Sequence, residues 1–258
     1  MQNSCYKFNT MKRPNYLALF AIVATVSLFL SSCNKDTPPT EMISFDSEEI
    51  MDNVPDGLLN STDSYAEQCV SGIETALDMS SFMSDMEPPD DAIRTLKGGS
   101  TWQWTVTNFM YTITFYWTYE EDSEKRYWTM EIKFGDGESY PYITAWETKD
   151  GSEGEIQYNF GWTAAYQSVE DYEDLYWKYH WNKDASGNYT FTWNYESSDD
   201  TYQYYLSYEV VVNADGSGSI NYYSMDVLFY HMEWDSLGNG SYTYYYSGTQ
   251  EISGSWTV

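Results

Sequence analysis

From residue 99 to the C-terminus the sequence alternates. Tyr111, Ile113, Phe115, Trp117 and Tyr119 share one parity, and Thr112, Thr114 and Thr118 the other. Trp128, Met130, Ile132 and Phe134 interleave with Thr129, Glu131 and Lys133. Ile156, Tyr158, Phe160 and Trp162 interleave with Gln157 and Asn159, and Tyr189, Phe191, Trp193 and Tyr195 with Thr190, Thr192 and Asn194. A period of two with a polar opposite parity describes antiparallel strands, packed on one face and wet on the other. The same stretch holds all 11 Trp, 24 of the 27 Tyr and only one proline, Pro141, which is what hydrogen-bonded strands favour. The spacing of runs and turns predicts a mainly β fold, an antiparallel meander of roughly 11–12 strands forming an open or half-barrel sheet.

The turns repeat as well. Gly154, Gly187, Gly218, Gly240 and Gly254 each open a Gly-polar-apolar-polar-apolar run. These glycines are expected to supply the positive φ of a hairpin, with a strand starting just after. Their spacing is uneven, so the pattern reads as a meander of similar hairpins rather than a solenoid.

Ahead of the sheet, one helix is expected over residues 64 to about 83. Ser64, Tyr65, Ala66 and Glu67 fit a capping box with Ser64 as the cap. Ala66, Cys69, Val70, Ile73, Ala76 and Leu77 form a stripe at helical spacing, expected to pack on the sheet. Pro88-Pro89 blocks continuation. The expected organisation is a targeting segment over 1–32, a flexible tether over 33–60, helix and linker over 61–98, and the β domain over 99–258. The tether reading rests on Thr37-Pro38-Pro39-Thr40, scattered acids and Pro55-Asp56-Gly57.

The targeting segment runs from Lys12-Arg13 through an apolar stretch, Tyr16 to Leu30, into Leu30-Ser31-Ser32-Cys33. A basic start, a run short for a membrane span and small residues before a cut describe a secretory signal. Leu30-Ser31-Ser32-Cys33 resembles the lipobox of bacterial lipoproteins. That resemblance implies cleavage before Cys33, an acyl anchor on Cys33 and a mature protein held to the outer membrane by lipid. Asn34-Lys35-Asp36 is similar to the signal that sends Bacteroidota lipoproteins to the cell surface, although Thr37 breaks its acidic run. Asp235-Ser236-Leu237 resembles the short O-glycosylation motif of that phylum, which would modify Ser236.

Charge is one-sided, with 12 Lys+Arg against 40 Asp+Glu. Such a surface repels nucleic acid and anionic headgroups at long range, so no nucleic-acid partner is expected. The cysteines are Cys5, Cys33 and Cys69. With Cys5 removed and Cys33 acylated, Cys69 has no disulfide partner and is expected to be a small buried apolar residue.

Motifs for catalysis are missing: no nucleophile elbow, phosphate loop or dinucleotide fingerprint occurs. His180 and His231 lack zinc spacing, and the expectation is a non-catalytic protein with no cofactor. The clusters around Glu120 to Glu124 and Asp171 to Asp174 read as solvated connections. Asn213 to Gly216 and Asp235 to Asn239 carry oxygens suited to calcium but lack EF-hand spacing, so ordinary turns are expected. The aromatic content points elsewhere, because sugars stack on Trp and Tyr rings. Tyr116, Trp146, Trp177, Tyr205 and Tyr223, read as lying off the dominant apolar register, are the candidate ligand-stacking residues.

Anchor and composition resemble the surface lipoproteins of polysaccharide-using gut bacteria. The leading expectation is therefore a non-catalytic envelope lipoprotein that binds glycan. Two alternatives stand beside it. One is an accessory protein that binds another envelope protein through the sheet edges or the helix. The other is a carrier of a lipophilic ligand, because helix plus meander resembles the half-barrel carriers that shuttle lipoproteins across the periplasm.

Overall fold

The computed structural model describes residues 47–84, 87–95, 100–107, 111–162, 175–197, 205–246 and 249–258. The signal segment, Cys33 and the start of the tether lie outside the described residues. Three helices precede the sheet: α1 (Ser47–Asp52), α2 (Asp56–Leu59) and α3 (Ser64–Ser84). Thirteen strands follow: β1 (Ile93–Arg94), β2 (Ser100–Thr107), β3 (Thr112–Glu121), β4 (Lys125–Phe134), β5 (Ser139–Thr148), β6 (Glu153–Asn159), β7 (Leu175–Lys183), β8 (Tyr189–Ser197), β9 (Tyr205–Val212), β10 (Gly218–Ser224), β11 (Val227–Trp234), β12 (Gly240–Tyr246) and β13 (Thr249–Trp256). They form one open antiparallel sheet in which every strand pairs with its sequence neighbours.

Register sorts the two parities onto two faces. One transverse row of the inner face runs Tyr119, Trp128, Ala145, Ile156, Tyr179, Trp193, Tyr208, Tyr222, Tyr230, Tyr244, Ile252, one residue from each strand β3 to β13. Its rings touch across strands. Tyr222 stacks on Tyr230 at 5.4 Å, and Tyr230 meets Tyr244 at 5.7 Å. Offset and tilted ring pairs of this kind add about 0.5–1.5 kcal/mol each to what burial contributes.

Helix α3 lies on this inner face. Tyr65 stacks on Tyr242 of β12 at 3.6 Å, Cys69 Sγ sits 3.6 Å from Met232 Sδ of β11, and Tyr179 of β7 donates its hydroxyl to the Ala76 carbonyl at 2.7 Å. The stripe Ala66, Cys69, Ile73, Ala76 and Leu77 is buried, as its spacing predicts. Cys69 is fully buried, and loss of hydration pushes its thiol up to about 12, so it stays protonated and behaves as an apolar residue. The cap differs from expectation by one residue. Asp63, not Ser64, caps the helix, its Oδ1 accepting the Tyr65 N–H at 2.8 Å. A carboxylate there also meets the positive end of the helix dipole.

Two expectations about the N-terminal region are corrected. The described part of the stretch read as tether is not extended and solvated: α1 and α2 occupy it, and Ile50, Val54 and Leu58 are buried. These helices cap one end of the sheet. Glu49 of α1 accepts from Lys183 at 2.8 Å and from the Tyr189 hydroxyl at 3.0 Å. Three isolated apolar residues among acids gave no periodic signal, which is why the segment read as tether. The stretch read as linker likewise contributes β1, whose Arg94 guanidinium lies 5.8 Å from the Trp102 ring.

The glycine expectation is corrected too. Of the five glycines assigned to positive φ, only Gly187 has it; among the described residues Gly135, Gly151, Gly216 and Gly238 are the others that do. Gly154, Gly218, Gly240 and Gly254 lie within strands. Their role is room. A Cβ on Gly154 would sit 2.1 Å from the Trp181 ring, on Gly218 2.2 Å from Trp234, and on Gly240 2.0 Å from Trp256. In each case the covering indole donates its N–H to a turn glycine carbonyl: Trp181 to Gly151, Trp234 to Gly216 and Trp256 to Gly238. Trp181, Trp234 and Trp256 thus repeat one device, a ring over a strand glycine with its polar edge closing the preceding turn.

Candidate functional site

The outer face is polar. Its central row runs Glu120, Tyr127, Trp146, Glu155, His180, Thr192, Glu209, Asn221, His231, Thr243, Ser253 across β3 to β13. Both histidines therefore share one row, although sequence alone offered no link between them.

The candidate stacking residues do not assemble. Tyr116 faces outward on β3, opposite Gln103 and Glu131. Trp146 faces outward on β5, but the Lys125 ammonium sits 3.3 Å from its ring centroid and covers one face. Trp177 belongs to the inner face, opposite Tyr158 and Tyr195, packed by Phe160 at 5.1 Å and Trp193 at 5.8 Å. It shares the parity of buried Tyr179 and Trp181, so it was never off register. Tyr205 opens β9 opposite Glu196, and Tyr223 lies on β10 opposite Ser207. From β5 to β10 is about 24 Å of sheet at ordinary strand spacing, so no continuous ring platform joins them.

What the structure does assemble on the outer face is a trough over β10 to β13. It encloses about 690 Å³. Ser219, His231, Glu233, Ser241 and Ser255 form its floor, and Asn213, Ser217, Asp235 and Asn239 stand at the turn end. Sequence reasoning did not single out this set. Serines at alternate positions look like any wet strand face, and only the register brings Ser219, Glu233, Ser241 and Ser255 side by side.

A chain of hydrogen bonds fixes the trough's imidazole. Asn221 Nδ2 donates to Glu209 Oε1 at 2.8 Å, and the Asn221 Oδ1 lies 2.7 Å from His231 Nδ1. A carboxylate only accepts, so the amide must turn its NH₂ to Glu209 and its oxygen to His231. His231 Nδ1 is then the donor. Nε2 is left as the acceptor of the neutral ring, 3.6 Å from Glu233 Oε2.

The turns around the trough use their oxygens internally. Asp235 Oδ1 accepts the N–H of Leu237 at 2.9 Å and of Asn239 at 3.0 Å. Asp215 Oδ1 accepts from the Ser217 hydroxyl at 2.6 Å and its N–H at 3.0 Å. Hydrogen bonds from the Asn239 side chain foremost hold the Asp235 carboxyl below its ordinary range, and those from Ser217 do the same for Asp215. Ser236 is exposed at the corner of the β11–β12 turn, beside Leu237 at 69% exposure.

The gap lined by Thr75, Ala76, Tyr179, Phe191, Trp193 and Tyr208 amounts to about 10 Å³. Among the described residues no helix is long and apolar enough to cross a membrane. No family model, no curated protein and no solved structure matches the chain.

Proposed function

We propose that this chain is an envelope lipoprotein, anchored through Cys33 to the outer membrane and facing the cell surface, that binds glycan without catalysis. The trough carries the reading. Its lining sets hydroxyl, amide, carboxylate and imidazole groups beside Gly218, Gly240, Trp234 and Trp256, open along one side. Apolar small molecules are held in enclosed, mostly apolar cavities. A shallow polar trough suits a polyhydroxylated chain laid across it. The lipobox resemblance at Leu30-Ser31-Ser32-Cys33 supports the anchor, and the alternative of a lipophilic cargo finds no support in a gap of about 10 Å³ beneath the helix.

The test is native affinity electrophoresis of the purified protein through gels cast with plant, host and microbial polysaccharides. Retardation in at least one gel, relieved by His231→Ala, is expected. No retardation in any gel overturns the reading. For the anchor, Cys33→Ala is expected to abolish labelling by a palmitate analogue in cells.

A further inference from the structure

The trough's hydrogen-bonding sense narrows what it can hold. At the turn end and at Ser241 the donor hydrogens are directed to protein oxygens. Asn213 Nδ2 donates to Ser217 Oγ at 2.9 Å, Asn239 Nδ2 to Asp235 Oδ2 at 3.1 Å, and Ser241 Oγ to Glu233 Oε1 at 3.0 Å. Beside the Ser219 and Ser255 hydroxyls, which can donate or accept, two acceptors face the opening. His231 Nε2 and Glu233 Oε2 are 3.6 Å apart, and with Nδ1–H given to Asn221 the neutral tautomer presents Nε2 as an acceptor. Two acceptors side by side call for a donor that reaches both. The surroundings supply no counter-charge: residues 184–258, which include every residue lining the trough, contain ten acidic residues and neither Lys nor Arg.

We infer that the trough selects a glycan rich in hydrogen-bond donors and free of acidic groups, and that it prefers a sugar bearing a free amine. An ammonium between His231 Nε2 and Glu233 Oε2 satisfies both acceptors and carries the charge the site lacks. A uronate or sulfate ester adds an acceptor and a negative charge to a site made of both, with no Arg fork or Lys to receive it. This inference rests on the glycan reading and deepens it.

Calorimetric titration of the full-length protein at pH 7.5 with three soluble tetrasaccharides tests it: glucosamine, N-acetylglucosamine and galacturonate. The glucosamine oligomer is expected to bind roughly tenfold tighter than the acetylated one, the difference between a charged and a neutral donor. The galacturonate oligomer is expected not to bind. Glu233→Gln should erase the preference for the amine, while Glu131→Gln, on the distant strand β4, should leave it intact. Equal or tighter binding of galacturonate overturns the inference and leaves the glycan reading standing, as does an unchanged preference in Glu233→Gln. A doubly protonated His231 in the ligand-free protein, read from ¹⁵N shifts at the same pH, removes the acceptor pair and overturns the inference as well. Failure of all three sugars together with all polysaccharide gels overturns both.

Discussion

The two faces of this sheet are built from alternate residues of the same strands, yet they solve different problems. On the inner face Trp181 is fully buried, its ring lies where a Gly154 side chain would be, and its N–H closes a turn. One residue earlier, His180 points outward, half-buried, with Nε2 3.4 Å from a Glu153 carboxylate. The inner face is specified by shape, and ring, glycine and helix surface must interlock. The outer face is specified by hydrogen-bond direction, and its side chains are free to be exchanged so long as the strand stays paired. Stability is thus concentrated on one parity and the proposed binding trough on the other. A substitution can be assigned to one or the other by its parity within a strand, with the parity reversing across the register shifts in β5, β11 and β13.

That contrast can be broken most severely at neighbouring residues. Trp181→Ala removes a buried ring and orphans the Gly151 carbonyl, and is expected to cost about 3–5 kcal/mol. His180→Ala is expected to stay within about 0.5 kcal/mol. Urea midpoints followed by far-ultraviolet circular dichroism measure both, and equal losses would dissolve the distinction between faces. A subtler break is Gly240→Ala, whose Cβ meets the Trp256 ring at 2.0 Å. It is expected to cost about 1–3 kcal/mol through overpacking. In a Trp256→Leu background only part of that cost should vanish, because the Cβ also lies 2.3 Å from the Glu233 carbonyl oxygen.

A milder difference concerns acid. Asp150 is held down to about 2, first by the Ser152 hydroxyl and then by the Ser152 N–H. Asp184 is lowered by the Asn188 N–H and side chain. Carboxylates depressed in the folded state stabilise it above their unfolded value near 4, and that stabilisation is lost as pH falls towards 2. Urea midpoints should therefore drop between pH 5 and pH 2.5, and Asp150→Asn should show a smaller drop over that window. The smallest effect expected is at Trp146. With Lys125 already covering its ring, Trp146→Ala should leave affinity-gel mobility unchanged where His231→Ala alters it.

Much of the fold was legible because period two is a strong signal. Ile113, Phe115 and Trp117 against Thr112 and Thr114 assign the faces without any structure. The helix was legible for a similar reason, since Ala66, Cys69, Ile73 and Ala76 repeat at helical spacing. Ile50, Val54 and Leu58 do not repeat, so α1 and α2 were missed; they are held by the sheet end they cover rather than by a pattern of their own. The strand glycines misled because a glycine needed for space and one needed for positive φ are the same letter. Gly218 follows the turn glycine Gly216 by two residues, and only the position of Trp234 tells them apart. The site was the least legible part. Glu209, Asn221 and His231 stand on three strands, and nothing short of the register reveals that they are adjacent. Conversely, Tyr116, Trp146 and Tyr223 attracted notice by ring type and by parity within their own strands, neither of which says where neighbouring strands place them.

The unbroken strand order has a consequence for how the chain reaches this state. Every strand pairs with the one made just before it, so hairpins can form and extend in the order of synthesis, most of them closing only a short loop. Helix α3 cannot follow that schedule. Its Cys69 meets Met232 and its Gln68 accepts from Tyr244, partners 163 and 176 residues later. The helix is made ahead of every strand, yet its seat is complete only when β12 has been added. Until then the apolar stripe and the tyrosine row are both bare. The helix made first therefore completes its docking only after β12 is in place.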